Sequence, residues 1–335
     1  MEFRKYPSIE QFRNIVKQVK QSAQYLGYDE EAQTPIMDRN AAMPVLTFTG
    51  TVKLHGTNAG VSLDKTTGEV YAQSRRNLIT PEKDNAGFAF FVENNKDVLK
   101  TILLIHSENR PDADVATIYG EWCGGNIQKN VGICGLEKMF VIFGCKVGEE
   151  WIPLKSQMLC VPNIYFIDEF PTYNMDIDFS EPERAVNKLS ELTLAVEAEC
   201  PVAKALGDGG IGEGIVWTSS YKDQHLMFKV KGEKHSASKV KTLAKVDTEK
   251  MNSIAEFVEY AVTENRLEQG IEQVFTISGD DVDITRMGDF LRWVMSDIIK
   301  EESDTLVDNK LEPKDIGRAV SNKARTWFIN RLKEF

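Results

Sequence analysis

Over the first 245 residues, apolar and polar positions alternate in short runs broken by turn residues, the period of two that marks strands. Residues 46–56 (LTFTGTVKLHG) predict a strand that ends in a glycine turn. Residues 64–68 (DKTTG) predict a turn, and 69–74 (EVYAQS) a second strand. Two more apolar stretches, 116–122 and 139–147, predict buried strands. A further pair, 214–218 and 226–231, is joined by SSYKDQH. Helices are predicted over 9–26 and 182–199.

After Val246 the period changes to that of a helix. Met251, Ile254, Val258 and Val262 recur at helical spacing, as do Ile284, Met287, Leu291, Val294 and Ile298. Pro313 marks a helix start, with Ile316, Val320 and Trp327 following on one face. The expected fold is α+β: antiparallel sheets flanked by helices over 1–246, then a small all-α domain over 247–335, linked near 245–252. A chain of 335 residues is long enough for two such domains. It contains no internal repeat and no low-complexity tract.

Composition narrows the setting. Hydrophobic residues are 42% and charged residues 27%, ordinary for a globular protein. No window reaches the ~20 apolar residues of a membrane span, and the start, MEFRKYPSIEQF, lacks the apolar core of a secretion signal. The five cysteines form no CxxC pair, and an odd number does not complete a disulfide framework. A reducing, cytoplasmic location is expected. The net charge of −11 argues against a protein that coats phosphate over its whole surface. Basic residues are instead grouped, with eight lysines against four acids over 222–250. A second group holds Lys310, Lys314, Arg318, Lys323, Arg325, Arg331 and Lys333.

The sharpest candidate chemistry is Lys53-Leu54-His55-Gly56-Thr57-Asn58. On a strand, Lys53 and His55 share one face while Leu54 enters the core. Gly56 lets the backbone pass close to a ligand. A lysine at a strand end becomes a nucleophile once its amine loses its proton; otherwise it is a surface lysine on an edge strand. Lys229 and Lys231 likewise share a strand face opposite Phe228 and Val230. Two ammonium groups so placed repel unless an anion lies near them, and a triphosphate is such an anion. The bland alternative is a solvated face. Glu121 and Glu213 each follow a glycine at a strand, where a carboxylate can hold a ribose hydroxyl or a divalent metal. Phe143 offers a ring to a base, or simply fills core.

Taken in order, Lys53-Leu54-His55-Gly56, Arg75, Gly120-Glu121, Phe143, Glu213-Gly214 and Lys229-Val230-Lys231 resemble the nucleotidyl-transferase motifs of covalent polynucleotide ligases and capping enzymes. More narrowly, KLHGTN, the run GNIQKNV over 125–131 and a helical C-terminal domain resemble the phage RNA ligase 2-type family, in the arrangement found in large T4-like bacteriophages. The resemblance implies an ATP-grasp-like ligase fold and an ATP-dependent RNA ligase acting on nicked duplex RNA. In such an enzyme the lysine takes AMP from ATP, AMP passes to an RNA 5′-phosphate, and a 3′-hydroxyl then displaces it.

By this resemblance Lys53 is the nucleophile and His55 assists the phosphate steps. Glu121 holds the ribose, Phe143 stacks on adenine, and Arg75 and Asn58 contact the sugar or the RNA 5′-phosphate. Glu213 orients the lysine or joins Glu121 in holding Mg²⁺, with Mn²⁺ as an alternative. Lys229 and Lys231 neutralise phosphates and ease the loss of the Lys53 proton. Arg266, Asp297 and Glu301 fall where the family's C-terminal module engages RNA, although each is also an ordinary charged residue of a helix. The implied partner is RNA bearing 3′-hydroxyl and 5′-phosphate ends, and the protein is expected to be a monomer.

Three positions depart from the family pattern. Val52 and Gly144 stand where relatives have acids, so adenine recognition would fall to backbone groups of Val52 and Leu54. EGIVWTS lacks the lysine often found soon after the glycine. DNA ligases and capping enzymes share the lysyl chemistry but add a β-barrel where this chain reads as helix. A non-catalytic nucleotide- or RNA-binding protein is the remaining alternative, and it would attach no AMP.

Overall fold

The structure, a computed structural model, describes residues 1–156, 161–235, 254–276 and 282–332. Its strands are β1 (Tyr25–Asp29), β2 (Thr34–Met37), β3 (Val45–Lys53), β4 (Thr57–Asp64), β5 (Val70–Ser74), β6 (Leu78–Ile79), β7 (Val115–Cys123), β8 (Met139–Val147), β9 (Glu150–Ile152), β10 (Ile164–Phe166), β11 (Thr172–Asp178), β12 (Gly214–Tyr221) and β13 (Gln224–Lys231). The helices are α1 (Phe12–Gln24), α2 (Phe88–Asn94), α3 (Lys96–Ser107), α4 (Arg184–Ala198), α5 (Pro201–Ala205), α6 (Ile254–Ala261), α7 (Glu264–Ile271), α8 (Met287–Glu301), α9 (Ser303–Asp308) and α10 (Pro313–Leu332). The mixed α/β architecture with antiparallel sheets is as expected, although β10 runs parallel to β8. Among the described residues no helix is long and apolar enough to cross a membrane.

The chain divides into two units. One comprises residues 1–8, 51–173 and 196–213; the other comprises 9–50, 174–195 and 214–335. This division cuts through the stretch expected to form a single N-terminal domain. The boundary expected at 246 and the linker over 245–252 lie outside the described residues, as does Met251.

The first unit is built on a seven-stranded sheet ordered β10-β8-β7-β4-β5-β6, with β9 paired to β8. Strand alternation sends Ala59, Val61, Leu63, Ala116, Ile118, Trp122, Phe140 and Ile142 to one face. There they bury a core with Phe88, Val92, Leu99, Ile102 and Leu103 from α2 and α3. The other face is left for polar and aromatic residues: Asn58 on β4, Tyr71 and Gln73 on β5, Tyr119 and Glu121 on β7, and Phe143 on β8. The N-terminal segment joins this group through hydrogen bonds. Gln73 Nε2 donates to the Arg4 carbonyl at 2.6 Å and Tyr71 Oη to the Glu2 carbonyl at 3.2 Å.

In the second unit a four-stranded sheet runs β11-β3-β12-β13. Lys222 (φ 46°) and Asp223 (φ 61°) form its two-residue β12–β13 turn, both in the left-handed region that suits a tight hairpin. Phe228 packs against Phe12 of α1 (5.0 Å between ring centroids) and Phe48 of β3 (5.2 Å). From Ile254 onward every described element is helical. These helices bury Phe257, Val258, Leu267, Phe290, Val294, Ile298, Ile316, Val320 and Phe328 together. Pro313 begins α10 as its sequence position predicts. The expected helix over 9–26 is shorter, because Tyr25 and Leu26 enter the β1–β2 hairpin.

Candidate functional site

Lys53 is the last residue of β3, and the loop of Leu54 to Gly56 leads directly into β4. Val52 and Leu54 are buried, 3% and 5% exposed. They anchor the segment from its apolar side and leave Lys53 and His55 half-buried on the other. Lys53 Nζ lies 2.6 Å from Glu213 Oε2, and His55 Nδ1 lies 3.4 Å from the same oxygen. Glu213 itself is buried. The alternation read from the sequence thus brings amine and imidazole to a single carboxylate. Beside the Lys53 amine stands an anion that aims it.

Glu121 closes the site from β7. Its Oε1 accepts the Gly56 N–H at 3.0 Å. The Glu121 carboxyl is pushed up to about 7, first by burial and further by the Glu213 charge, against lowering by Lys53, the Gly56 N–H and His55. Asn58 is the register partner of Glu121 across β4 and β7, so the two side chains emerge on one face. A Cβ on Gly120 would fall 2.4 Å from the Phe140 ring, which is why the residue before Glu121 has no side chain.

Phe143 sits where the β7–β8 register slips. Tyr119 pairs with Gly144 and Gly120 with Ile142, leaving Phe143 as the extra residue of a bulge. Bulges re-aim a side chain, and this ring is half-buried with Tyr6 edge-on at 5.1 Å. Tyr6 also packs on Tyr119 and Trp151. Burial pushes the Tyr6 hydroxyl pKa up; Tyr119 and Glu121 push the same way and Arg75 opposes. Arg75, the residue after β5, is exposed and close enough to act on the Tyr6 hydroxyl.

Two participants escaped the sequence reading. Tyr6 carries no local motif. Gln128 is buried and donates from Nε2 to the Gly56 carbonyl at 3.2 Å. Its only signal was its place inside GNIQKNV.

The second unit holds the other candidates. Lys229 and Lys231 share a face of β13, while Phe228 and Val230 are buried beneath it. Lys231 is the register partner of Gly214, the residue that follows Glu213 in the chain. Lys229 Nζ is 2.9 Å from Glu301 Oε1. Arg266 has no exposed side-chain surface and is bonded to Asp297 (2.9 Å), Glu302 (3.1 Å) and the Ala261 carbonyl. A guanidinium enclosed this way braces helices and offers no donor to RNA, and Asp297 is its counter-ion. Glu301 faces Lys229. Among the described residues no group of three His, Cys, Asp or Glu side chains is placed to hold a metal ion.

The unit of residues 1–8, 51–173 and 196–213 therefore gathers an amine beside a buried carboxylate, an imidazole near the same oxygen, and a second carboxyl bonded to the loop between them. The chain belongs to the RNA ligase family, whose model matches residues 46–231, more than half of its length. Among solved structures it is similar to the Naegleria gruberi RNA ligase with pyrophosphate, at 14% identity and a TM-score of 0.41, over 69% of this chain and 56% of that one. Two variants of that enzyme, one with ATP and manganese and one with AMP and manganese, match at 14% and 15% identity, each with a TM-score of 0.40 and the same coverage. The chain thus spans just over half the length of these structural relatives. No curated protein matches.

Proposed function

We propose that this protein is an ATP-dependent RNA ligase that joins 3′-hydroxyl to 5′-phosphate ends, with nicks in duplex RNA as its substrate. Lys53 attacks the α-phosphorus of ATP, forming lysyl-AMP and releasing pyrophosphate. AMP then moves to the RNA 5′-phosphate, and the 3′-hydroxyl displaces it to form the phosphodiester bond. One observation supports this reading above the rest: within an RNA ligase family chain, Lys53 Nζ is held 2.6 Å from the buried Glu213 carboxylate.

Transfer of this kind depends on in-line positioning and neutralised charge. Glu213 aims the amine, and the ammonium must shed a proton before it attacks. His55, on the same carboxylate oxygen, is within reach to help move it. Glu121 and Asn58 take the ribose side, with Glu121 accepting a hydroxyl. Phe143 stacks on adenine, and the backbone of Val52 and Leu54 reads its edge. Arg75 meets the sugar or the RNA 5′-phosphate. Lys229 and Lys231 take the phosphates, which supply the anion that two like charges on one strand face require. Magnesium, or manganese in its place, fits Glu213 and Glu121 together with the nucleotide's own phosphates, since such ions often use only one or two carboxylates plus water. When bound it would add charge neutralisation.

In this reading the nucleotidyl-transferase portion has the ATP-grasp-like plan of its family, and the helices from Ile254 onward act as an RNA-engaging module. The protein would work as a monomer on broken RNA in the cytoplasm of a cell infected by a large T4-like bacteriophage. Mass spectrometry after incubation with ATP and magnesium tests the central claim. The expected result is an added AMP on Lys53, absent from Lys53→Ala, while that variant still seals a nick already carrying 5′-adenylate. Full sealing from ATP by Lys53→Ala would refute the assignment.

A further inference from the structure

Lys229 and Lys231 stand two residues apart on one face of β13, and the sequence demands an anion near them. In the structure that anion is a side chain. Glu301 Oε1 is 2.9 Å from Lys229 Nζ and 3.5 Å from Lys300 Nζ. Gln11 Nε2 donates to the other oxygen at 3.3 Å and to the Glu301 carbonyl at 2.8 Å, and Arg13 donates to that carbonyl at 3.1 Å.

Glu301 is the last residue of α8. A carboxylate there faces the negative end of the helix dipole, an unfavourable place unless cations offset it. Lys229, Lys300 and Lys231 do so: burial alone would raise the Glu301 carboxyl, and together these three hold it well below the usual range. Each partner therefore compensates a charge that its own element leaves exposed to repulsion: the strand needs an anion and the helix end needs a cation. A nucleotide phosphate carries more charge than one carboxylate and answers the same need on the strand.

The geometry points to Glu301 as an internal stand-in for phosphate, a carboxylate that occupies Lys229 and competes with the anionic ligand for it. This deepens the reading in which Lys229 and Lys231 take the phosphates of ATP, and it rests on that reading. Phosphate binding then loosens the end of α8 from β13, and the helix end in turn weakens phosphate binding.

The test uses full-length protein and inorganic tripolyphosphate as the probe, with affinity measured by calorimetry so that no catalytic step enters. Glu301→Gln should bind tripolyphosphate on the order of tenfold more tightly than wild type, the change that about 1.4 kcal/mol gives. In a Lys229→Ala background the same substitution should bring no gain. Unchanged or weaker binding by folded Glu301→Gln overturns the competition, and so does an equal gain without Lys229. If Lys229→Ala binds as tightly as wild type, the phosphate role of Lys229 itself falls. A loss there with no gain in Glu301→Gln sinks only the competition. Hydrogen exchange on wild type needs no variant to fold: amides over 296–302 should exchange faster with tripolyphosphate bound, and unchanged protection overturns the inference.

Discussion

A Cβ built on Gly56 would lie 2.4 Å from the carbonyl oxygen of Trp122, closer than any real contact of that kind. The obstacle is backbone, so it cannot swing aside. Gly56→Ala should force the loop off β7 and break the Gly56 N–H bond to Glu121. The expected cost is about 1–3 kcal/mol of stability, the usual range for overpacking. AMP attachment should slow at least about tenfold, because loop displacement misplaces Lys53. Denaturant unfolding and a single-turnover rate measure the two effects, and a variant matching wild type in both would show that the loop has room to move.

The raised pKa of Glu121 carries a sign. A carboxyl at about 7 in the folded chain against an ordinary 4.5 means that the folded state binds the extra proton between those values. Stability from this group is therefore intact below about 4.5 and lost progressively as pH climbs to about 7. Glu121→Gln removes the titration. Its stability should gain on wild type across that window, by at most about 3.4 kcal/mol, while nucleotide affinity falls. A pH-independent difference between the two proteins would place the titration elsewhere.

Phe143→Ala should raise the KM for ATP in AMP attachment by roughly tenfold or more, since base stacking is worth about 1–3 kcal/mol. Phe143→Tyr should retain most of the affinity because it keeps the ring. If removing the ring leaves KM alone, the bulge aims Phe143 at Tyr6 and not at adenine.

Arg266→Ala should destabilise the protein, by about 3 kcal/mol, because it removes a fully buried guanidinium from Asp297 and from Glu302, which keeps Arg13 at 3.4 Å and the Tyr260 hydroxyl at 2.7 Å. Arg266→Lys should rescue little, as an ammonium cannot reproduce the fork to Asp297 and Glu302. Wild-type unfolding combined with selective loss of RNA binding would instead return Arg266 to the ligand-facing role that the sequence suggested.

Local alternation made the core of the site readable. Lys53, His55 and Asn58 sit within six residues, at the end of β3, in the following loop and on β4, so one short motif exposes all three. The Lys229 and Lys231 pair was readable for the same reason. Phe143 could be suspected but not aimed, because its direction comes from a one-residue bulge that no spacing within β8 reveals. Glu301 and Arg266 belong to helices and meet partners on a distant strand or on another helix, and a charged residue on a helix looks the same whether it meets water, RNA or Lys229. The helix α2 was missed because Phe88–Asn94 is apolar almost throughout, leaving no amphipathic stripe to see, whereas α3 carries a stripe of Leu99, Ile102, Leu103 and His106 that the sequence reading passed over.

The way the chain visits its two units governs how it can be taken apart. The first eight residues belong with 51–173 and 196–213, whereas 9–50 and 174–195 belong with the stretch after 214. No single scission yields either unit whole, and trimming the amino end removes Tyr6 from beside Phe143. Each unit must gather segments far separated along the polypeptide before it can close, which makes the protein a slow folder by topology. Fragments cut by position alone will carry half of two structures.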